Sequence, residues 1–143
     1  MTIALFSCYI LTVAAGYWLT ALNIGHLHRY GNIVPAGFEG SIDPETLAKT
    51  VEYTLEKNRL GLVESILDNL LLVLFLFCGL LGAYDRWIAS LSSSFVVGGV
   101  LFFLILSIAQ TILGIPASLY DTFRIENRYG FNNTTPRLWL VDL

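Results

Sequence analysis

The sequence predicts an all-α, polytopic membrane domain, and three observations support this prediction. Hydrophobic residues make up 55% of the 143 residues, and the mean hydropathy is +0.67. Charged residues make up only 13%, whereas soluble domains average roughly a quarter. Three segments are also apolar over the about 20 residues that a bilayer-spanning helix needs. These features predict three transmembrane helices in a single domain, residues 1–143.

The three spans are predicted at about residues 3–25, 62–84 and 95–116. Ile3–Leu22 carries no charge. Asn69–Tyr84 is uncharged, and adding Leu60–Asp68 lengthens it to a span of ordinary size. Ile88–Tyr120 contains no charged residue. A loop of about residues 26–60 separates the first span from the second, and a tail, residues 117–143, follows the third.

Basic residues predict the orientation of these spans. Seven of the eight Lys and Arg residues lie in the loop after span one or in the tail, and only Arg86 lies between spans two and three. Because basic residues in short loops favour the cytoplasmic side, we expect a cytoplasmic loop and tail and an outside or lumenal N-terminus. We expect this membrane to be a bacterial inner membrane or the endoplasmic reticulum. The overlapping Asn-x-Thr sequons at Asn132 and Asn133 are then incidental.

A long helical extension of span two into the cytoplasm is also predicted. Asp43 suits an N-cap and Pro44 a first helical position. An apolar stripe at helical spacing follows, formed by Leu47, Val51, Leu55, Leu62 and Ile66. A helix from Pro44 to Tyr84 would be about 60 Å long, twice the hydrocarbon thickness. Its first half should therefore project from the membrane, where its apolar stripe needs a partner.

Polar residues near the start of span two leave two interpretations open. Glu64 and Asp68 lie one turn apart, and counting back from Tyr84 places Asp68 and Asn69 about a turn inside the membrane. One interpretation is a polar cluster at headgroup level. The other is a face that lines a water-filled cavity, since intramembrane carboxylates usually face a bundle interior.

The tail begins with a predicted amphipathic helix. Pro116 should kink or end span three, after which Tyr120 and Phe123 share one face and Gly130 ends the helix. We expect this helix at the interface or against the cytoplasmic half of span two. Thr134 or Thr135 before Pro136 predicts a further helix start, which favours a chain that continues in its natural setting.

No motif for catalysis or metal binding occurs in the sequence. H-E-x-x-H, a Gly-rich phosphate loop and G-x-S-x-G are absent. His26 and His28 have no third ligand nearby and are interpreted as interfacial polar residues. The net charge of −3 does not indicate a nucleic-acid partner. We therefore interpret the chain alone as a membrane scaffold without catalytic or metal-ligating residues.

The segment LGIPASLYDTFRIENRYGFNNTTP resembles a motif of the type I CAAX prenyl protease family. That motif reads roughly Pro-x-x-x-Tyr-x-x-Phe-x-Ile-Glu-x-x-Phe-Gly-Phe-Asn-x-x-Thr, and Tyr129 here replaces its commoner second Phe. The matching residues are Pro116, Tyr120, Phe123, Ile125, Glu126, Gly130, Phe131, Asn132 and Thr135. Residues matching the family's stretch before its second span, in kind and spacing, are Lys49, Tyr53, Thr54 and Arg59.

The resemblance covers nearly the whole chain and implies the N-terminal membrane domain of an integral-membrane zinc endopeptidase. In that family the helices enclose a large chamber, and an H-E-x-x-H helix with a downstream Glu binds the zinc. The catalytic zinc domain is thus expected outside this chain, which should be inactive alone. Implied partners are the lipid bilayer, the catalytic metallopeptidase domain and, for the full-length enzyme, a peptide or protein substrate. Zinc is implied for the full-length enzyme only.

The polar face of span two and the matched tail motif together supply the residues expected to line the chamber or contact the catalytic domain. They are Asp68, Asn69, Tyr120, Phe123, Glu126, Gly130, Phe131 and Asn132. An alternative function is a small stand-alone scaffold or regulatory subunit that docks a partner through its cytoplasmic tail. A third is a transporter subunit that uses Asp68 as a proton carrier.

Overall fold

The computed structural model describes residues 2–38 and 40–142 and confirms an all-helical fold without strands in those residues. Three stretches are long and apolar enough to cross a membrane, so the chain is an integral membrane protein. They are Thr2–Tyr30, Pro44–Phe77 and Phe95–Tyr129. The helices are α1 (Thr2–Tyr30), α2 (Pro44–Phe77), α3 (Leu80–Leu91), α4 (Phe95–Tyr120), α5 (Asn127–Tyr129) and α6 (Pro136–Val141), with a π-helical segment, Asp121–Glu126, between α4 and α5.

Helix α2 begins at Pro44 as predicted, because Asp43 caps it. The Asp43 carboxylate accepts hydrogen bonds from the backbone N–H of Thr46 at 2.9 Å and from its hydroxyl at 2.7 Å. These bonds, that of the Thr46 side chain foremost, lower the pKa of Asp43 below its usual 3.8. The cap also satisfies a backbone donor that has no partner within the helix.

The prediction of one unbroken helix from Pro44 to Tyr84 is wrong. Helix α2 ends at Phe77, and Gly79, at φ +82°, adopts the left-handed conformation that ends a helix. The rings of Phe75 and Tyr84 lie 5.9 Å apart. Nine residues of straight helix would separate them by about 13 Å, so the chain turns sharply here.

The third span does not end at Pro116. Helix α4 passes through Pro116 to Tyr120 and continues through the π-helical segment to Tyr129. A proline removes one backbone N–H, and local helical adjustments in a membrane protein compensate for such a loss. The predicted amphipathic helix is therefore continuous with span three, and Gly130 ends it as predicted.

Helix α2 is the central element. Helix α1 runs antiparallel beside it, since Phe6 meets Phe77 at one end and Tyr17 meets Ser65 further along. Helix α4 is also antiparallel to α2 but has few direct contacts with it. It joins α2 mainly through α3 at one end and through the π-helical segment at the other. The central parts of α2 and α4 therefore stand apart.

The buried core is small. In the described residues, the buried apolar side chains are Val51, Ile88, Ile125 and Tyr129. Most other apolar side chains of the spans are exposed, as expected of surfaces that face lipid or further protein.

Candidate functional site

The first candidate site is where the tail packs against the first half of α2. The Lys57 ammonium donates to Asp121 Oδ2 at 2.7 Å and to Glu126 Oε1 at 3.2 Å. We call these three residues the ion-pair cluster. Their side chains are only 26–35% exposed, so water screens these pairs less than surface pairs. Arg128 and Glu56 form a second, more open ion pair at 3.4 Å.

The π-helical segment brings both carboxylates of the ion-pair cluster to one ammonium. Asp121 and Glu126 are five residues apart, which in an α-helix separates their directions by about 140°. A π-helical turn closes between residues i and i+5 and so places such residues nearly one above the other. The local widening of the helix therefore explains how Lys57 binds both.

Aromatic rings reinforce this contact. The ring of Tyr53, on α2, lies 5.5 Å from the ring of Tyr129 and 4.8 Å from that of Phe131. The Lys57 ammonium lies 5.5 Å from the centre of the same Tyr53 ring. Such edge and cation–π contacts favour one orientation of the tail on α2. Ile125, four residues before Tyr129, is fully buried.

The turn after α5 is built from backbone hydrogen bonds. Gly130 has φ +78°, a left-handed conformation. The Phe131 N–H donates to the Glu126 carbonyl at 2.9 Å, and the Gly130 N–H donates to the Asn127 carbonyl at 3.3 Å. This is the Schellman arrangement that satisfies the last carbonyls of a helix. Glu126 thus stabilises the tail twice, through its carboxylate and through its carbonyl.

Side-chain caps then direct the chain into α6. Asn132 Oδ1 accepts the Thr134 N–H at 2.6 Å, and Thr135 Oγ1 accepts the Leu138 N–H at 3.2 Å. The predicted start at Pro136, with a Thr cap, is confirmed. Trp139 secures α6 to α4, because its indole N–H donates to Ser118 Oγ at 3.0 Å.

The structure gathers most of the tail residues expected from the sequence. Phe123 packs against Trp139 with ring centroids 6.3 Å apart, and Glu126, Gly130, Phe131 and Asn132 form the turn and its contact with α2. Tyr120 is instead half exposed on α4.

Sequence reasoning missed the partners of this turn. Lys57 and Asp121 were not singled out, because a spacing of five residues between acidic groups is not one face of an α-helix. Trp139 was missed because its contact with Ser118 spans the turn. One sequence signal could have pointed to Lys57: Tyr53 lies four residues before it, so the two side chains share one face of α2.

A second polar group joins α1 to α2 within the predicted spans. The Asn69 amide N–H₂ donates to the Tyr17 hydroxyl at 3.0 Å and to the Ser65 carbonyl at 2.6 Å, and Asn69 Oδ1 accepts from the Tyr9 hydroxyl. Asn69 is therefore engaged with α1. It borders an open cleft of about 330 Å³, lined by Val13, Gly16, Tyr17, Thr20, Lys57, Asn58, Gly61, Leu62, Ser65 and Asn69.

Asp68 lies on a different face of α2 and is exposed. It is 11 residues after Lys57 and seven before Phe75, spacings of about three and two helical turns, so the three residues share a face. Lys57 contacts the π-helical segment, and Phe75 contacts α3. The face that bears Asp68 therefore points toward α4, where α2 and α4 stand apart.

The described residues of this chain do not form a zinc site. Within residues 2–38 and 40–142, no three His, Cys, Asp or Glu side chains lie together as a metal site requires. The two carboxylates that do converge, Asp121 and Glu126, are neutralised in part by Lys57. No step of zinc chemistry is therefore assigned to them.

Comparison with known proteins places these features in one family. Residues 23–143 match the family model described as the CAAX prenyl protease N-terminal region with five membrane helices. A CAAX prenyl protease 1 homolog of Caenorhabditis elegans is 32% identical over 101 residues, covering 71% of this chain and 22% of the relative. CAAX prenyl protease 1 of Saccharomyces cerevisiae is 26% identical over 120 residues, covering 77% of this chain and 26% of the relative.

The fold is similar to a solved structure as well. The crystal structure of S. mikatae Ste24p matches with a TM-score of 0.82 and 26% identity, over 94% of this chain and 32% of that chain. This chain thus spans about a quarter of the curated relatives it matches, between 22% and 26% of the two named above.

Proposed function

The chain belongs to the CAAX prenyl protease family, as an N-terminal membrane region, and from this we propose that it forms part of the membrane chamber of a zinc metalloendopeptidase and supports its catalytic domain. The observation that carries this proposal is the separation of α2 from α4, with the face that bears Asp68 directed into the opening. A carboxylate in a membrane span is stable where it meets water or a polar partner, and a water-filled chamber supplies that surrounding.

From the end of α2 at Phe77 we infer that Asp68 lies deep in the membrane. A hydrocarbon core of about 30 Å takes about 20 helical residues, which counted back from Phe77 are roughly residues 58–77. Asp68 is nine residues before Phe77 and lies about 13 Å from that boundary, near the middle of the core. This depth favours the cavity-lining interpretation over the headgroup-level one. Asn69 contributes to the same wall indirectly, by binding α1 to α2.

In this proposal the tail is the part of the chain that supports the catalytic domain. Its turn at Gly130 and its contact with α2 present one fixed surface, from which Leu138, Leu140 and Val141 project as exposed apolar groups. We assign this surface to contact with the catalytic domain, whose own residues would hold the zinc and carry out peptide hydrolysis. In the same proposal the N-terminus is lumenal or outside and the tail cytoplasmic, in the endoplasmic reticulum or a bacterial inner membrane, as the seven basic residues on the tail side favour.

A chimaera tests both roles together. This chain would replace the matching segment of the Saccharomyces cerevisiae relative, after Cys8 and Cys78, which are free and exposed, are changed to Ser. We expect the chimaera to keep metalloendopeptidase activity. An Asp68→Cys variant should react with a membrane-impermeant maleimide, whereas Phe103→Cys on the exposed side of α4 should not. A well-expressed but inactive chimaera, or equal protection of both cysteines, would contradict the proposal.

Zinc content and topology provide simpler checks. The purified chain alone should hold much less than one zinc ion per molecule by elemental analysis, because residues 2–38 and 40–142 offer no ligand set. In sealed vesicles, a cysteine at Arg137 and one at Arg86 should label from opposite sides. Stoichiometric zinc, or labelling of both from one side, would contradict the respective assignment.

A further inference from the structure

The π-helical segment Asp121–Glu126 interrupts an otherwise α-helical run from Phe95 to Tyr129. We infer that Lys57 selects this π-helical geometry and thereby sets the rotational position of the tail. Lys57 is in this sense a positioning residue. This conformational device lies within this chain and does not depend on the proposed role in a zinc endopeptidase.

The geometry of the ion-pair cluster supplies the first argument. A π-helical turn is rarer and less favourable than an α-helical one, so a stretch of six residues needs compensation. Five-residue spacing in α geometry directs Asp121 and Glu126 about 140° apart, so only one of them would reach Lys57. In the structure both reach it, at 2.7 and 3.2 Å. The second ion pair exists because the helix is widened, and it stabilises the widened form.

The surroundings of Asp121 supply the second argument. Its Oδ1 atom is buried and has no hydrogen-bond partner among the described residues, so its bond to Lys57 through Oδ2 is the interaction that compensates the carboxylate. Without the ammonium, a largely buried carboxylate would remain without a cation, which is unfavourable. A return to α geometry would relieve this by turning one of the two carboxylates toward water. Loss of Lys57 therefore shifts the balance toward the α form.

A change of the segment from π-helical to α-helical geometry would displace the rest of the tail. Changing the helical register by one residue rotates everything that follows by about 100° and shifts it by about 1.5 Å along the axis. An atom 5 Å from the axis then moves by about 8 Å. Tyr129 and Phe131 would leave the ring of Tyr53, and α6 would face a new direction. The remaining pair, Arg128 with Glu56, lies beyond the segment and is too exposed to prevent this.

Distances between spin labels test the inference on the full 143-residue chain in lipid nanodiscs. After Cys8 and Cys78 are changed to Ser, nitroxide labels are attached at Glu45, near the start of α2, and at Arg137 in α6. The parent chain should give one narrow distance. Lys57→Met keeps the aliphatic stem but removes the charge, and it should shift the distance by at least about 5 Å or broaden it markedly. Lys57→Arg, which also donates to two carboxylates, should restore the parent distance.

Controls separate this effect from unfolding and from general charge loss. Arg59→Met removes an exposed cation two residues away on α2 and should leave the Glu45–Arg137 distance unchanged. A second label pair, Asn23 with Glu45, should report an unchanged α1–α2 distance in every variant. The double change Asp121→Asn with Glu126→Gln removes the same ion pairs from the other side, and it should produce the same new distance as Lys57→Met. A parent distance in either charge-deleted variant, or an equal shift in Arg59→Met, would overturn the inference.

Discussion

Replacing Ile125 by alanine should open the contact between the tail and α2. Ile125 has an exposed fraction of 0% and is the one fully buried large side chain in the described residues. The change removes three carbon atoms, which at about 0.8 kcal/mol per buried methylene is about 2.4 kcal/mol of transfer free energy. The cavity that remains adds to this, and measured values for such changes range over about 2–5 kcal/mol.

Hydrogen exchange at the turn measures this free energy locally. The amides of Gly130 and Phe131 are hydrogen-bonded to backbone carbonyls within the turn, so they exchange when the tail opens. A loss of 2 kcal/mol corresponds to about thirtyfold faster exchange when closing is faster than exchange. Ile125→Val, at about 0.5–1.5 kcal/mol, should accelerate exchange by only about two- to thirteenfold.

An exposed apolar residue provides the matched control. Leu140 is 66% exposed on α6, and Leu140→Ala should change exchange at the turn by no more than about twofold. Exchange in Ile125→Ala that matches the Leu140→Ala control would refute the assignment of Ile125 as the core of this contact. A graded response from Val to Ala would support it, because the loss then follows the volume removed.

Three further changes test other parts of the structure. Asn69→Leu leaves the Tyr17 hydroxyl without its amide donor and should weaken α1–α2 association by about 1 kcal/mol, measured by SDS-induced unfolding; unchanged unfolding would contradict the role of this hydrogen bond. Gly130→Ala, at φ +78°, should destabilise the turn by about 1–2 kcal/mol, seen as faster exchange of the amides it protects; equal protection would show that the left-handed conformation is not required. The pKa of Asp43 is lowered in the folded chain, so its cap stabilises α2 fully above the unfolded pKa near 3.8 and is lost as pH falls through the lower folded pKa. The Thr46 amide should therefore lose protection from exchange only in that acidic window, and Asp43→Ala should show no such step.

Local signals were sufficient to predict three membrane spans and several helix ends, but not α3. Asp43, Gly130 and Thr135 each act on the backbone within four residues, so their effect is visible in a short sequence window. The end of α2 at Phe77 was missed because Gly79 lies in an apolar run, where glycine is common in membrane helices and does not by itself mark a boundary.

Long-range partners could not be predicted in the same way. Lys57 and Asp121 are 64 residues apart in sequence, and their contact depends on a change of helical periodicity that residue spacing does not reveal. Asp68 and Asn69 are neighbours that the sequence treats as one polar pair. The helix separates them by about 100°, so that one binds α1 and the other faces the opening toward α4.

The turn between Glu126 and Leu138 has a consequence for assembly. Its backbone hydrogen bonds and caps join residues at most six positions apart, so the turn can form locally, and the packing of Ile125 then protects its amides. Contacts of such short range form early in folding, before long-range packing. A surface that is already ordered loses little conformational entropy when a partner binds it, so more of the contact free energy remains as affinity. The tail would therefore meet its neighbour as a preformed surface, and a few apolar contacts from α6 would suffice for docking.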